Sequence, residues 1–359
     1  MPEAISEAVA ATLPLALFLT AALSISADAE RHGVASLAAG RLAGWGRGDA
    51  RLLYGLVCLA TLVLTAAVSL DGAVVLLVPV VSTLHQRYQV PLRPLFLGCV
   101  VVANASSLAL PQGNPTNLVV IQGLGVDPVS FSRHTAVPAL VATAMVVIAV
   151  AVLDRRVLNG GYNASGGTPC GTGLSPAPLL AIAATTVGNV AALALGAPPW
   201  APICVAGLAL WAWRAMSGAG GGFVRAPVRI SLQVLVLVAA TDLAFTRLGS
   251  SASHLGPGAL VPMVAVAAAA ALLAAVVTNL PPSVALGQIP VHLPFAYAAL
   301  AGLSVGALVA PRGSVATLIA FDLAEDGAAP IRRSFAWAVA PAAAVATVAA
   351  VTLLWVGGT

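Results

Sequence analysis

Apolar segments long enough to cross a lipid bilayer recur along the chain and restrict what it can fold into. A hydrocarbon core of about 30 Å needs roughly 20 apolar residues in helical form. Of the 359 residues, 60% are hydrophobic and 8% are charged, whereas about 25% are charged in a typical soluble domain. We therefore predict an all-α integral membrane protein with about eight transmembrane helices, two of them broken. The expected spans lie at residues 8–27, 95–124, 134–153, 178–196, 199–216, 229–247, 294–323 and 333–355.

Two further apolar regions, 52–85 and 257–291, are too long for one helix and too short for two full spans with a loop. Each is interrupted near its middle. The first contains Ser-Leu-Asp-Gly at 69–72, and the second contains Thr-Asn-Leu-Pro-Pro at 278–282. We interpret both regions as re-entrant hairpins, whose irregular backbone is tolerated only where it is buried in protein or lines a wet cavity.

The basic residues are 16 arginines without any lysine, and their positions predict the orientation. Positive charge accumulates in short cytoplasmic loops. If the protein lies in the inner (plasma) membrane with both termini outside, Arg133 and Arg247 lie outside and Arg312 lies within the membrane. The segment 31–50 is then either a short helix along the cytoplasmic interface or a basic loop. The inside arginines are at 31, 41, 47, 51, 87, 93, 155, 156, 214, 225, 229, 332 and 333.

The chain also resembles itself at an offset of 200 residues. PQGNPTNL at 111–118 aligns with PRGSVATL at 311–318, so that proline, glycine and leucine coincide. Both stretches lie in a long apolar span, follow a hairpin, and precede a span that opens with arginine. We therefore predict inverted-topology repeats at 1–156 and 229–359, joined by a flexible loop, a helix pair and a linker at 157–228.

Inverted repeats with discontinuous helices are typical of secondary transporters, whose substrate site lies near the bilayer midplane at the repeat interface. Proline lacks a backbone donor and glycine permits non-helical backbone, so carbonyls and amides are freed at each break. The amide end favours anions and the carbonyl end favours cations. The predicted substrate-binding residues come from both breaks and both hairpin tips: Asp71, Gly113, Asn114, Thr116, Asn117, Thr278, Asn279, Arg312, Gly313, Ser314 and Thr317.

Ionisable residues at membrane depth are costly and indicate function. Asp71 is predicted to carry a coupling proton, to cap the second helix of its hairpin, or to do both. Asp242 is the second candidate for proton coupling; alternatively, it lies at the interface and pairs with Arg247. Arg312 either attracts an anionic substrate through charge-assisted hydrogen bonds or pairs with an intramolecular carboxylate such as Asp71.

Several of these motifs resemble those of arsenite/antimonite efflux permeases. SLDGAVVLLVPVV at 69–81 resembles their Asn-Asp-Gly hairpin motif, and VVTNLPPSVAL at 276–286 resembles their Asn-Asn-Leu-Pro motif. VAPRGSVATLIAF at 309–321 resembles their Thr-Pro-Ile-Gly-Ser-Leu-Ala-Thr-Leu motif. SSLALPQGNPTNLVV at 106–120 is similar to the Pro-x-Gly-x-Pro-x-Asn segment of the wider ion transporter superfamily, which includes citrate and divalent-anion carriers and some sodium/proton antiporters.

This resemblance spans about residues 8–355 and implies a carrier that exports arsenite or antimonite by alternating access, driven by membrane potential or proton exchange. The chain departs at Leu70, where the permeases have Asn, and at Arg312, where they have Ile. Arg312 favours an alternative, a proton- or sodium-coupled carrier for citrate, a dicarboxylate or another anion. The permeases also have two extra N-terminal helices, so we expect different scaffold packing or dimer contacts in this chain.

Other function classes find little support. The sequence contains no HExxH motif. A Ser/His/Asp arrangement of an intramembrane enzyme stays open as an alternative, as does a channel, which would also use polar breaks. The chain has no GxxxxGK[ST] nucleotide-binding motif, so transport driven by ATP hydrolysis would need a separate ATPase subunit. The arginines do not form the cluster that nucleic-acid binding requires.

No resident cofactor or metal is expected, because the cysteines are far apart and form no CxxC pair. They are either small apolar side chains or soft ligands for trivalent arsenic. The expected partners are the lipid bilayer, a small inorganic or organic anion or a neutral oxyacid, a coupling H+ or Na+, and a second copy of the chain or an ATPase subunit. The four cysteines are Cys58, Cys99, Cys170 and Cys204.

Overall fold

The computed structural model describes most of the chain. Its regular elements are helical, apart from an isolated antiparallel bridge between Asp49 and Gly161. The predicted span at 229–247, with Asp242, lies outside the described residues, as does most of the span at 8–27. The described residues are 31–164, 177–198, 200–216, 259–289, 291–357 and scattered positions between 17 and 29.

The first half of the chain forms a hairpin, a broken helix and a long helix. Helix α1 confirms a helix rather than a loop within 31–50, and it buries Ala39, Leu42 and Ala43 while it packs on α3. The longer helices of this half that the structure describes from residue 31 onward are α1 (Val34–Trp45), α2 (Ala50–Val68), α3 (Leu70–Tyr88), α4 (Leu92–Ser106), α5 (Pro115–Leu124) and α6 (Pro128–Leu153).

The second half begins with a helix pair and then repeats the order of hairpin, broken helix and long helix. Five helical segments in the described part of the chain are long and apolar enough to cross a membrane, which confirms an all-α membrane protein. The helices of this half are α7 (Ala177–Leu195), α8 (Ala201–Met216), α9 (Leu260–Val277), α10 (Leu280–Gln288), α11 (Leu293–Ser304), α12 (Val315–Leu323) and α13 (Ala329–Gly357).

Hairpin 1 (α2 and α3) and hairpin 2 (α9 and α10) break where the polar motifs predicted. The arms of hairpin 1 are longer than expected, because α2 and α3 have 19 residues each and α2 alone is long enough to span. Whether hairpin 1 is re-entrant or crosses the membrane stays a prediction. A single non-helical residue, Ser69, joins the two arms, so the connection between them contains no further loop residues.

Helices of the two predicted repeats pack across one another. α5 packs on α10, and α3 packs on α12, so the second half of each broken helix lies against the second arm of the opposite hairpin. The backbones approach so closely that a Cβ atom on Gly123 of α5 would collide with the carbonyl oxygen of Gly287 in α10. This crossed packing brings the tips of both hairpins and both helix breaks to one place.

Polar contacts join three stretches that the arginine positions assigned to one side of the membrane. Arg93, at the start of α4, lies 2.6 Å from the carboxylate of Asp154, which follows α6. Arg51, at the start of α2, donates to the side chain of Asn159. The starts of α2 and α4 and the end of α6 therefore share one end of the molecule, while its assignment to the cytoplasm stays a prediction.

Candidate functional site

The two helix breaks have the same backbone conformation. Leu110 has φ −130° and ψ 148°, and Ala310, 200 positions later, has φ −135° and ψ 146°. The backbone N–H groups of Gly113 and Gly313 donate to the carbonyls of Leu110 and Ala310, both at 3.0 Å. The predicted interruptions at both glycines are confirmed, and the sequence repeat corresponds to a repeated local structure.

Close backbone packing explains why glycine is needed at both breaks. A Cβ atom on Gly113 would lie 2.6 Å from the carbonyl oxygen of Ser107, and one on Gly313 would collide with the carbonyl oxygen of Ala307. The chain folds back on the preceding half-helix in the same way in both places. The next helix therefore starts directly beside the point where the previous one ends.

The tips of the hairpins carry unusual backbone angles. Ser69 has φ 114° and Thr278 has φ 68°, a region that residues other than glycine rarely adopt. The Ser69 hydroxyl oxygen accepts a hydrogen bond from the backbone N–H of Gly72 at 3.3 Å. Backbone strain of this kind is concentrated at functional sites. Here it turns the backbone of each hairpin sharply from the first arm into the start of the second.

A small buried cavity lies where four helices begin. The helices are α3, α5, α10 and α12, and the first N–H groups of a helix have no partner within it. The helix dipole adds partial positive charge at the same ends, so the surroundings of the cavity favour negative charge. The lining residues are Leu70, Asp71, Asn114, Pro115, Thr116, Asn279, Leu280, Ser314 and Val315.

The volume of the cavity is about 10 Å³, which is room for about one water molecule. Among the described residues that line it, Asp71 is the one charged side chain, and it is 2% exposed. Three side-chain atoms of the lining have no hydrogen-bond partner within the described structure: Asp71 Oδ1, Thr116 Oγ1 and Ser314 Oγ. Because unpaired buried polar atoms are costly, these three atoms are available to a water molecule or to a polar ligand.

Hydrogen bonds behind the cavity connect the two breaks to each other. Asn104 Nδ2 donates to Thr317 Oγ1 at 3.2 Å, and Asn114 Nδ2 donates to Ser304 Oγ at 3.5 Å. Asn104 and Ser304 were not predicted as site residues. They occupy equivalent positions at the 200-residue offset, and two polar residues at equivalent positions in apolar helices are the signal that would have found them.

Several predicted residues support the cavity without lining it. Asn117 donates from Nδ2 to the carbonyls of Ser107 and Leu110 at 2.8 and 2.9 Å, so it closes the end of α4. Gly113, Gly313 and Thr317 also lie behind the lining. Thr278 immediately precedes the lining residue Asn279, is half-buried, and has no partner for Oγ1 among the described residues.

The structure differs from the prediction at Arg312. Its side chain is exposed and does not line the cavity. Within the described ranges it forms no ion pair with Asp71. The equivalent Gln112 is buried and donates to the carbonyl of Ala66 at 3.4 Å. A guanidinium group is far more costly to bury than an amide, which accounts for the outward position of Arg312.

No metal site is found among the residues that the structure describes, since no group of three or more His, Cys, Asp or Glu residues comes together there. Cys58 and Cys99 are buried in α2 and α4 as free thiols, away from the cavity lining. Cys170 lies outside the described residues. Cys58 and Cys99 are thus packed as small side chains, and Cys204 of α8 is half-buried.

Comparison with known proteins decides the class of the molecule. The citrate transporter family matches residues 2–357, almost the whole chain. The chain belongs to this family. As a member of this family with apolar spanning helices, it is a multi-pass membrane protein of a transporter family.

The family member is also similar to the silicon efflux transporter LSI3 of Oryza sativa subsp. japonica, with 29% identity over 122 residues. The match covers 34% of this chain and 25% of LSI3, so the chain spans a quarter of the length of that relative. Neither similarity concerns arsenite or antimonite, and that part of the prediction stays a prediction.

Proposed function

We propose that this member of the citrate transporter family carries a small, oxygen-rich anion of the citrate or dicarboxylate class by alternating access. The observation that carries the proposal is the convergence of the first turns of α3, α5, α10 and α12 on one buried cavity. Partial positive charge at four helix starts favours carboxylate groups. The side chains of Asn114, Thr116, Asn279 and Ser314 offer further hydrogen bonds to the same oxygens.

The small cavity supports a cycle in which the site opens and closes. A volume of about 10 Å³ cannot hold a citrate molecule, so the four helix starts must separate for the substrate to enter. The crossed packing of α5 on α10 and of α3 on α12 supports movement of hairpins and broken helices as one core. We propose that this core moves against the remaining helices and carries the site from one side of the membrane to the other.

Asp71 is the proposed coupling group. Its carboxylate lies in the first turn of α3 and faces the same partial charges that attract an anionic substrate. An ionised Asp71 therefore repels the substrate, and a proton on Asp71 removes that repulsion. Binding of proton and anion would then favour each other, which is the condition for coupled transport.

A specific observation favours a second candidate, a carrier for neutral oxyacids such as arsenite, antimonite or silicic acid. Within the described structure, the cavity lining contains no basic side chain. Its atoms without a partner include the acceptor Asp71 Oδ1, to which the hydroxyl groups of an oxyacid can donate. The similarity to a silicon efflux transporter supports this candidate as well.

Transport by the purified protein in liposomes separates the two candidates. The substrates are citrate, succinate, arsenite and silicic acid, each tested with and without a proton gradient and with and without sodium. We expect saturable uptake of citrate or succinate, accelerated by the same unlabelled anion on the other side and by an inward proton gradient. Saturable arsenite or silicic acid flux that citrate does not inhibit would favour the second candidate. Flux of any substrate that neither saturates nor exchanges would indicate a channel.

A further inference from the structure

One side chain of the helix pair α7–α8 reaches the tip of hairpin 1. Asn189 of α7 is 5% exposed, and its Nδ2 donates to the backbone carbonyl of Ala67 at 2.8 Å. Ala67 lies in the last turn of α2, two residues before Ser69 and four before Asp71. A residue that lies outside both hairpins and both broken helices therefore contacts the backbone beside the proposed coupling group.

The end of α2 needs such a donor. The last carbonyls of a helix have no partner within it, and the φ of 114° at Ser69 ends the helix abruptly. Gln112 donates to the carbonyl of Ala66 at 3.4 Å, and Asn189 donates to that of Ala67. Because a buried carbonyl without a partner is costly, the bond from Asn189 stabilises the position of the tip relative to α7.

The face of α7 that is buried with Asn189 consists mainly of small side chains. They are Pro178, Ala181, Thr185 and Ala192, with Ile182 partly buried at its edge, and α7 packs on α2. Thr185 donates its hydroxyl proton to the carbonyl of Ala181 within its own helix at 2.8 Å. Small side chains offer little steric resistance when α7 slides along α2. The hydrogen bond from Asn189 to Ala67 therefore favours one relative position of the two helices.

We propose that Asn189 is a positioning residue that holds the tip of hairpin 1 in one state of the transport cycle and releases it in the other. The inference rests on the proposed alternating access, in which the hairpins move relative to α7–α8. A bond from α7 to Ala67 cannot persist in both positions of the tip. It therefore stabilises the state seen here and sets the balance between the inward-facing and outward-facing states.

This role has a kinetic signature that a merely structural role lacks. The apparent affinity for substrate on each side of the membrane scales with the fraction of protein that faces that side. Loss of one hydrogen bond changes the ratio of the two states by about two- to tenfold. In Asn189→Ala, the KM values on the two faces should shift in opposite directions, and their ratio should change by about that factor.

The test uses the full-length protein inserted in one orientation in liposomes, with citrate, or whichever compound of the transport panel is carried, supplied to each face in turn. Asn189→Gln keeps the carboxamide donor and should restore part of the wild-type ratio. Val190→Ala, one position along α7 on its exposed side (68% exposed), is the matched control and should leave the ratio unchanged. An equal fall in maximal rate on both faces with both KM values unchanged would overturn the proposal.

A second measurement needs no substrate. Amide hydrogen exchange of residues 66–72 should be faster in Asn189→Ala than in the wild type or Val190→Ala, because the tip is held less tightly. Unchanged exchange would overturn the role of Asn189. The proposed function fails if no compound of the transport panel is carried. Faster amide hydrogen exchange in Asn189→Ala would still support the role of Asn189 in that case, so the two failures are distinguishable.

Discussion

Asn104, close to the end of α4, donates a hydrogen bond to Thr317 in the first turn of α12, with 3.2 Å between Nδ2 and Oγ1. The two residues are 213 positions apart in sequence and belong to different predicted repeats. Both side chains are buried, with exposed fractions of 0% and 1%. This bond directly links the broken helices whose second halves begin at the cavity.

The link between Asn104 and Thr317 should be measurable as a coupling energy. A double-mutant cycle with Asn104→Ala and Thr317→Val should give about 0.5–1.5 kcal/mol of interaction in denaturant unfolding of the purified protein. Asn104→Ala combined with Thr143→Val is the matched control. The Thr143 hydroxyl bonds to Ala139 within α6, so its effect should be additive. Additive effects for both pairs would contradict a bond between the breaks.

Asp71→Asn should abolish net transport driven by a proton gradient, because asparagine keeps the size of the side chain and cannot release a proton. Exchange of substrate for substrate should persist, since it needs no net proton movement. Both quantities are measured in liposomes with and without an imposed gradient. Asp322→Asn, an exposed carboxylate on α12, is the control. Full gradient-driven uptake in Asp71→Asn would refute the coupling role.

Gly113→Ala and Gly313→Ala should each destabilise the protein by about 1–3 kcal/mol, because the added methyl group meets the backbone of the preceding half-helix and overpacking has costs of this size. Transport should fall more than stability, since the helix starts at the cavity shift. Thermal unfolding and uptake are the measurements. Gly55→Ala, which meets no atom within 4 Å on the exposed side of α2, should not reduce transport, and its higher helix propensity should leave stability unchanged or slightly raised. Equal behaviour of the three variants would be inconsistent with the close packing at the breaks.

The pair of Arg93 and Asp154 predicts a pH dependence of stability. Burial raises the pKa of the Asp154 carboxyl group, and the nearby Arg93 opposes that rise. The folded protein therefore holds this proton more tightly than the unfolded chain. Stability from this group is fully present below the ordinary carboxyl pKa, near 4, and is lost as the pH rises through the raised value.

Asp154→Asn cannot ionise, so this fall in stability should be absent from its profile. The measurement is the unfolding temperature of both proteins from pH 4 upward, and their profiles should diverge as the wild-type carboxyl ionises. Parallel profiles would show that Asp154 titrates alike in the folded and unfolded states.

The sequence alone determined the membrane class, the helix breaks at Gly113 and Gly313, and the polar hairpin tips at 69–72 and 278–282. These features depend on local physics. An apolar run of sufficient length needs a bilayer, and proline followed closely by glycine weakens a helix locally. The 200-residue repeat added the expectation that the two breaks are equivalent, and their backbone angles agree.

Tertiary structure alone decided which side chains face the cavity. It placed the starts of four helices around Asp71, turned Arg312 away, and brought Asn104 to Thr317 and Asn189 to Ala67. These relations depend on how distant helices pack and in which direction each side chain points. The local sequence predicts neither the packing nor the side-chain directions, because the contacting residues belong to helices that are far apart in the chain.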